Sequence, residues 1–174
     1  DTMAEALHGL GVRTSELRLA DGSGLSRKNL VTAEQITGLL LAARSRPWFD
    51  VWYEALPIAG IPDRLVGGTL SERMAGTAAE GNVHAKTGSL TGVTGLSGYV
   101  TDADGRLLVF SVLHNNHIDV NPKEIEDRIA VRLAEFTRAS DGARTVEGEG
   151  ALEDDSPNEG RLGEVVLDME CSWI

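Results

Sequence analysis

The stretch that most restricts what this chain can fold into runs from Val83 to His114. It contains three short runs rich in apolar and β-branched residues, 83–89, 96–102 and 106–114, bounded by glycine-containing segments. Asp102-Ala-Asp-Gly105 separates the last two and has the composition of a tight turn. Strands joined this closely must run antiparallel, so an antiparallel sheet is expected here. Such a sheet needs cover, and the flanking sequence supplies helices. Thr2 to Leu10 suits a short helix closed by Gly9 and Gly11. Thr32-Ala-Glu-Gln35 is a capping box ahead of Ile36, Leu39, Leu40 and Ala43, which share one face of a helix of about 12 residues. Pro47 opens a second helical stretch, "PWFDVWYEAL", whose aromatics are expected to pack inward. Thr69-Leu-Ser-Glu72 reads as another capping box. Asn121 and Pro122 begin a last helix, with Ile125, Ile129, Leu133 and Phe136 on the stripe expected to cover the sheet. Arg13 to Ala20 suits a short strand. The expected class is α/β in the broad sense, more closely α+β: an antiparallel sheet with helices packed on its faces.

Charge divides the chain. The net charge is −11, but residues 140–174 hold ten acidic and two basic residues, so the body is close to neutral. The expected organisation is one domain over 1–139 and an acidic extension over 140–174. No basic patch is present to neutralise phosphates, which argues against nucleic acid as a ligand. No run of about 18 apolar residues occurs, so no membrane-spanning segment is expected. The single cysteine, Cys171, is compatible with a free thiol or with a bridge to a partner outside the chain. Residues 3–10 already read as the middle of a helix, so the chain is expected to be part of a larger product.

Within the first expected strand lies Lys86-Thr87-Gly88-Ser89. With three lysines, twelve threonines and twenty glycines, a shuffled chain would contain Lys-Thr-Gly roughly 0.02 times. A lysine on a strand followed by Thr, Gly and Ser presents a cation, two hydroxyls and an unobstructed backbone along one edge. That suits a ligand with a carboxylate and an amide: ammonium and hydroxyls hold the anion while the strand pairs with the rest. A side chain at Gly88 would block close approach. The same residues also suit an edge strand whose solvated lysine discourages aggregation.

The wider context resembles a known family. "DGSGLSRKNL" ahead of a capped helix, then "GTLSERM" and "GNVHAKTGSLTGVTGLSGYV", resemble in order the C-terminal part of penicillin-binding proteins of the D-alanyl-D-alanine carboxypeptidase/endopeptidase type, the S13 serine peptidases, and most closely their actinobacterial branch. The likeness runs from about Leu10 to Ala139. It implies a transpeptidase-like fold with a five-stranded sheet, of which this chain offers the last three strands and the closing helix, leaving an apolar inner edge unpaired. It also implies three active-site motifs: Ser-x-x-Lys with the nucleophile, Ser-x-Asn, and Lys-Thr-Gly. Only the third is here. Leu25, Val83 and Val120 precede the three lysines at the required spacing, and the one Ser-x-Asn, Ser156-Pro-Asn158, lies in the acidic extension after the Lys-Thr-Gly. The nucleophile is therefore expected on an upstream, N-terminal segment of the same enzyme.

By this resemblance Lys86 and Ser89 are the catalytic residues of the chain: Lys86 favours the anionic serine and anchors the substrate carboxylate, and the Ser89 N–H forms half of an oxyanion hole. Thr87 and Gly88 bind substrate beside them. Arg27 would pair with a carboxylate on a stem-peptide side chain, with Leu25, Leu90 and Thr91 on the cleft wall, while Asp21, Ser23 and Asn29 hold their loop by local hydrogen bonds. The implied partners are peptidoglycan stem peptides and β-lactam antibiotics, the implied location is outside the cytoplasmic membrane, and no metal or cofactor is implied. His114 and His117, although spaced H-x-x-H, are expected to be solvated polar residues. A serine β-lactamase and a non-catalytic peptidoglycan-binding module are the competing readings.

Overall fold

The computed structural model describes residues 2–117 and 121–138, and the backbone of 164–169. Ser156, Asn158 and Cys171 lie outside the described residues. The sheet forms around two turns. β1 (His84–Leu90) and β2 (Val93–Thr101) are joined by only Thr91 and Gly92, and Gly92 takes φ 72°, a conformation most side chains resist. β2 therefore starts three residues earlier than the sequence suggested, because its glycines and threonine continue the ladder instead of forming a loop. β2 and β3 (Leu107–Asn115) meet across the expected turn, where the buried Asp102 carboxylate accepts the backbone N–H groups of Asp104 and Arg106 at 3.0 and 2.8 Å. Both pairings are antiparallel, with Lys86 opposite Ser97 and Ser97 opposite Ser111.

The far edge of β3 is not open, as the family's architecture implied, but pairs with β4 (Glu164–Met169). This strand runs parallel to β3 and completes the order β1-β2-β3-β4. Parallel pairing meets the hydrogen-bonding demand of an edge that burial would otherwise leave unsatisfied.

The two faces of the sheet carry separate cores. On one, Leu96, Val100, Leu108, Phe110 and Val112 pack with Ala130 and Leu133 of α4 (Pro122–Ala134) and with Leu70. On the other, Tyr99 and Val109 pack with Leu40 of α2 (Ala33–Arg44) and Leu56, and the Tyr99 hydroxyl donates to the Leu40 carbonyl at 2.8 Å. Burial pushes the Tyr99 phenol up to about 12. The Thr32–Gln35 capping box opens α2 as expected. α1 (Thr2–Gly9) is also where the sequence placed it.

Other expectations change. Arg13–Ala20 reduces to a single bridge between Arg18 and Leu30, since the glycine loop that follows lets the two residues pair but sustains no ladder. α3 covers only Phe49–Glu54, and its aromatics divide. Phe49 and Tyr53, one turn apart, pack toward Tyr99, whereas Trp48 and Trp52 share the outer side, edge to face at 6.1 Å and half exposed. A helix this short has one inner face, and two of the four rings fill it. On α4 the buried stripe is Pro122, Glu126, Ala130, Leu133 and Ala134, with Ile125 and Ile129 only partly covered. A buried ion-pair cluster draws the helix round: Arg73 reaches Glu126 at 2.9 Å and Asp127 at 2.7 Å. Burial opposes the charge on Arg73, but the bonds and charges of Asp127 and Glu126 outweigh it and raise its pKa. His114, expected in solvent, is buried beside this cluster with Nδ1 3.7 Å from Glu126. Its place on an interior strand position overrides its polarity. Among the described residues no helix is long and apolar enough to cross a membrane.

Candidate active site

The outer edge of β1 is covered only at its start. Ala85 N–H donates to the Pro57 carbonyl at 3.0 Å, and Ala59 N–H donates to Val83 at 3.0 Å, so the segment around Ile58 closes the edge as far as Ala85. Backbone groups alternate along a strand, so those of Thr87 and Ser89 face the same outward side as Ala85, where no described strand pairs with them. The other end is closed by a latch. Arg27 Nη2 donates to the carbonyl of Thr91, in the β1–β2 turn, at 2.8 Å. Between cover and latch lies an open stretch of strand edge, Lys86 to Leu90.

The side chains of this stretch alternate between the faces of the sheet. Lys86 stands opposite Ser97 on the α2 face, and its ammonium turns to the edge to donate to the Thr87 carbonyl at 2.8 Å. Thr87, opposite the buried Leu96, is on the α4 face. The edge therefore has a cation on one side, hydroxyls on the other and backbone N–H groups between them. A β-carbon built on Gly88 would meet no atom within 4 Å, so the space beside the strand is open at this residue.

A groove of about 570 Å³ lies on the α2 face and includes Lys86, Thr87, Gly88, Ser89 and Leu90, facing Met3, Leu7 and Ile36. Its wall is mainly apolar, with the motif as its polar end. A larger, more open groove of about 930 Å³ runs beside α4 but contains no β1 residue and none of the predicted site residues. The smaller groove is the candidate site, because it contains the Lys-Thr-Gly-Ser residues and the open edge of β1 forms its rim.

The structure thus brings together Lys86, Thr87, Gly88, Ser89 and Leu90, and ties Arg27 to them through Thr91. Arg27 and Thr91 stand at the latch and do not line the groove, and neither does Leu25, which is 72% exposed on its loop. Its loop is held as expected: Asn29 Oδ1 accepts from the N–H groups of Ala20 and Asp21, Asn29 Nδ2 donates to the Asp21 carboxylate, and Ser23 donates to it as well. The hydrogen bonds from Asn29 and Ser23 hold the Asp21 carboxyl below the usual range.

Two features escaped the sequence reading. Ser97 and Ser111 form a hydroxyl pair at 2.8 Å behind Lys86, visible only once strand register is known. Thr69 does not cap a helix: the segment is a 3₁₀ turn, Gly68–Leu70, and the Thr69 hydroxyl lies 3.0 Å from that of Thr87. The Thr69–Glu72 pattern is a purely local signal, whereas the partner of Thr69 lies on another element. Among the described residues there is no cluster of three His, Cys, Asp or Glu side chains that would hold a metal.

The model of the D-Ala-D-Ala carboxypeptidase 3 (S13) family matches residues 1–136. The chain belongs to the S13 family. A D-alanyl-D-alanine carboxypeptidase from Actinomadura sp. (strain R39) is 51% identical over 172 residues, 98% of this chain. The carboxypeptidase DacB of Mycolicibacterium smegmatis is 43% identical over 63% of it. In three dimensions the S13 chain resembles penicillin-binding protein 4 (dacB) of Haemophilus influenzae, with TM-score 0.67 and 31% identity over 76% of this chain and 30% of the other. The same Haemophilus protein has also been solved in complex with a β-lactam. The chain spans 29% of the length of its Actinomadura relative and 24% of the Mycolicibacterium one.

Proposed function

We propose that this chain is the C-terminal part of a serine DD-peptidase that cleaves D-Ala-D-Ala ends or cross-links of peptidoglycan through an acyl-enzyme, and that β-lactams acylate it. The observation that carries this reading is the open edge of β1 from Lys86 to Leu90, with the Lys86 ammonium and the Thr87 hydroxyl on opposite sides and outward backbone groups between them. A peptide with a terminal carboxylate matches that arrangement: its backbone pairs with the edge while the anion meets cation and hydroxyl. Family membership and the β-lactam complex of the Haemophilus relative support it.

In this mechanism the serine nucleophile comes from an upstream segment and attacks the carbonyl of the penultimate residue. The Ser89 N–H, facing outward, supplies one donor to the oxyanion as charge develops on it. Lys86 stabilises the serine's anionic form and, with the hydroxyls of Thr87 and Ser89, holds the leaving D-alanine by its carboxylate. Loss of D-alanine leaves an ester that water hydrolyses. Penicillin mimics the substrate, and its ester persists. Arg27 offers further donors beside the one given to Thr91, so it can receive a stem-peptide carboxylate while keeping the latch. The site lies on the extracytoplasmic side, where its substrate is.

The test is an intact-mass measurement, before and after incubation with a penicillin, on this chain produced together with its upstream segment. One penicillin mass gained by the upstream polypeptide, with none on residues 1–174, is the expected result. No acylation of the assembled protein would overturn the peptidase reading. Rapid loss of the adduct would favour a β-lactamase instead.

A further inference from the structure

The contact between Thr69 and Thr87 has no part in the mechanism above, yet it touches the motif directly. Their hydroxyl oxygens are 3.0 Å apart. Thr69 is exposed, but its backbone is firmly set. Gly67 packs against Ser71 and the Ile61 carbonyl too closely to admit a β-carbon, Gly68 takes φ 51°, and Leu70 is fully buried. Leu70 N–H donates to Gly67 at 2.8 Å, and its carbonyl accepts from Gly60 at 3.0 Å. The 3₁₀ turn therefore presents Thr69 from a fixed platform to a strand edge fixed by its own register.

A hydroxyl has one proton and two acceptor sites. If Thr87 spent its proton on Thr69, it would turn lone pairs toward an anion at the edge. If Thr69 donates to Thr87, the Thr87 proton is free to point outward, and the two bonds polarise each other in one direction. A carboxylate on the edge favours the second arrangement, because a hydrogen bond to an ion is stronger than one between neutral hydroxyls. We propose that Thr69 is a positioning residue: it donates to Thr87 and so aims the Thr87 hydroxyl at the carboxylate of a ligand bound along β1. This rests on the peptidase reading given above.

The experiment compares wild type, Thr69→Val and Thr69→Ser in the full-length enzyme. The readout is the second-order rate of acylation by benzylpenicillin and by its methyl ester, which lacks the anion. Thr69→Val is expected to slow acylation by the acid about tenfold, and by the ester less than about twofold, as fits the weakening of one charge-assisted bond. Thr69→Ser, which keeps the hydroxyl, restores the wild-type rate to within about twofold on the same grounds. An equal loss with both compounds would make Thr69 merely structural and overturn the proposal. So would no loss, or a failure of serine to rescue. If wild type is acylated and the valine variant behaves like it, only the role of Thr69 falls; if wild type is not acylated at all, the peptidase reading falls and this inference with it.

Discussion

Gly88 and Gly98 lie on neighbouring strands and make opposite demands. A β-carbon on Gly88 meets empty space, whereas one on Gly98 runs into the His84 carbonyl and the Cα of Ala85 at 2.6 Å. Gly88→Ala is therefore expected to leave the thermal midpoint of the full-length protein unchanged while slowing penicillin acylation. Gly98→Ala should destabilise by roughly 1–3 kcal/mol through overpacking. Equal effects on stability and acylation at both positions would contradict this division. His84 offers a test by pH. Its ring stacks on Tyr53 at 4.0 Å, with Nδ1 3.2 Å from the Tyr53 carbonyl. Burial lowers its pKa from 6.5, outweighing that carbonyl and the Glu54 charge, which act the other way. Below pH 6.5 the unfolded chain takes up the proton more readily than the folded one, so the contribution of the neutral ring, complete above that value, is lost as the pH falls toward the lower folded pKa. The stability gap between wild type and His84→Gln should be flat above pH 7 and narrow on acidification in chemical denaturation. At this scale the Lys-Thr-Gly residues were legible because they form a contiguous string. Thr69 was not, because its partner is eighteen residues away and belongs to another element.

Among the elements, the link between the segment after the 3₁₀ turn and α4 depends on Arg73, which bonds Asp127 through Nε at 2.8 Å and the Lys123 carbonyl through Nη2 at 3.2 Å, in addition to Glu126. Glu126 is 1% exposed, so removing its cation strands a buried carboxylate. Arg73→Met is expected to destabilise the full-length protein by about 3–5 kcal/mol, and Arg73→Met combined with Glu126→Leu by clearly less, since the second change removes the orphaned charge. Urea unfolding of both variants checks this, and equal losses would show that the cluster is not the anchor. The helix itself was easy to read from Asn121, Pro122 and its apolar spacing. Its rotation was not. Ile125 and Ile129 advertised an inner face, but the ion pairs of Glu126 and Asp127 depend on an arginine fifty residues upstream, and no local periodicity reports that. α3 fails in a related way: four aromatics promise burial, and a two-turn segment has room for only part of them.

For the molecule as a whole, the sheet is well covered on the α4 face and less so on the α2 face, where the groove beside Lys86 is lined by Met3, Leu7, Leu39 and other apolar side chains. Apolar surface of that extent is expected to be met by more protein. Produced alone, the chain should be aggregated or bind a hydrophobic dye strongly; produced with the proposed upstream segment, it should elute with it as one species. A soluble, dye-silent chain in isolation would count against this. The antiparallel sheet and the cover of α2 and α4 were legible from turns, caps and alternation, because each is settled within a few residues. β4 was not, since nothing in "EVVLDM" states which strand it will join. One consequence follows from the two-residue turn between β1 and β2. In a strand, moving the ladder by a single residue exchanges its faces. Thr91 and Gly92 leave no slack, so the spelling Lys-Thr-Gly has chemical meaning only through that turn: one residue inserted beside Gly92 that shifted the pairing would put the ammonium where the hydroxyl now stands, leaving the motif intact as text and void as an instrument.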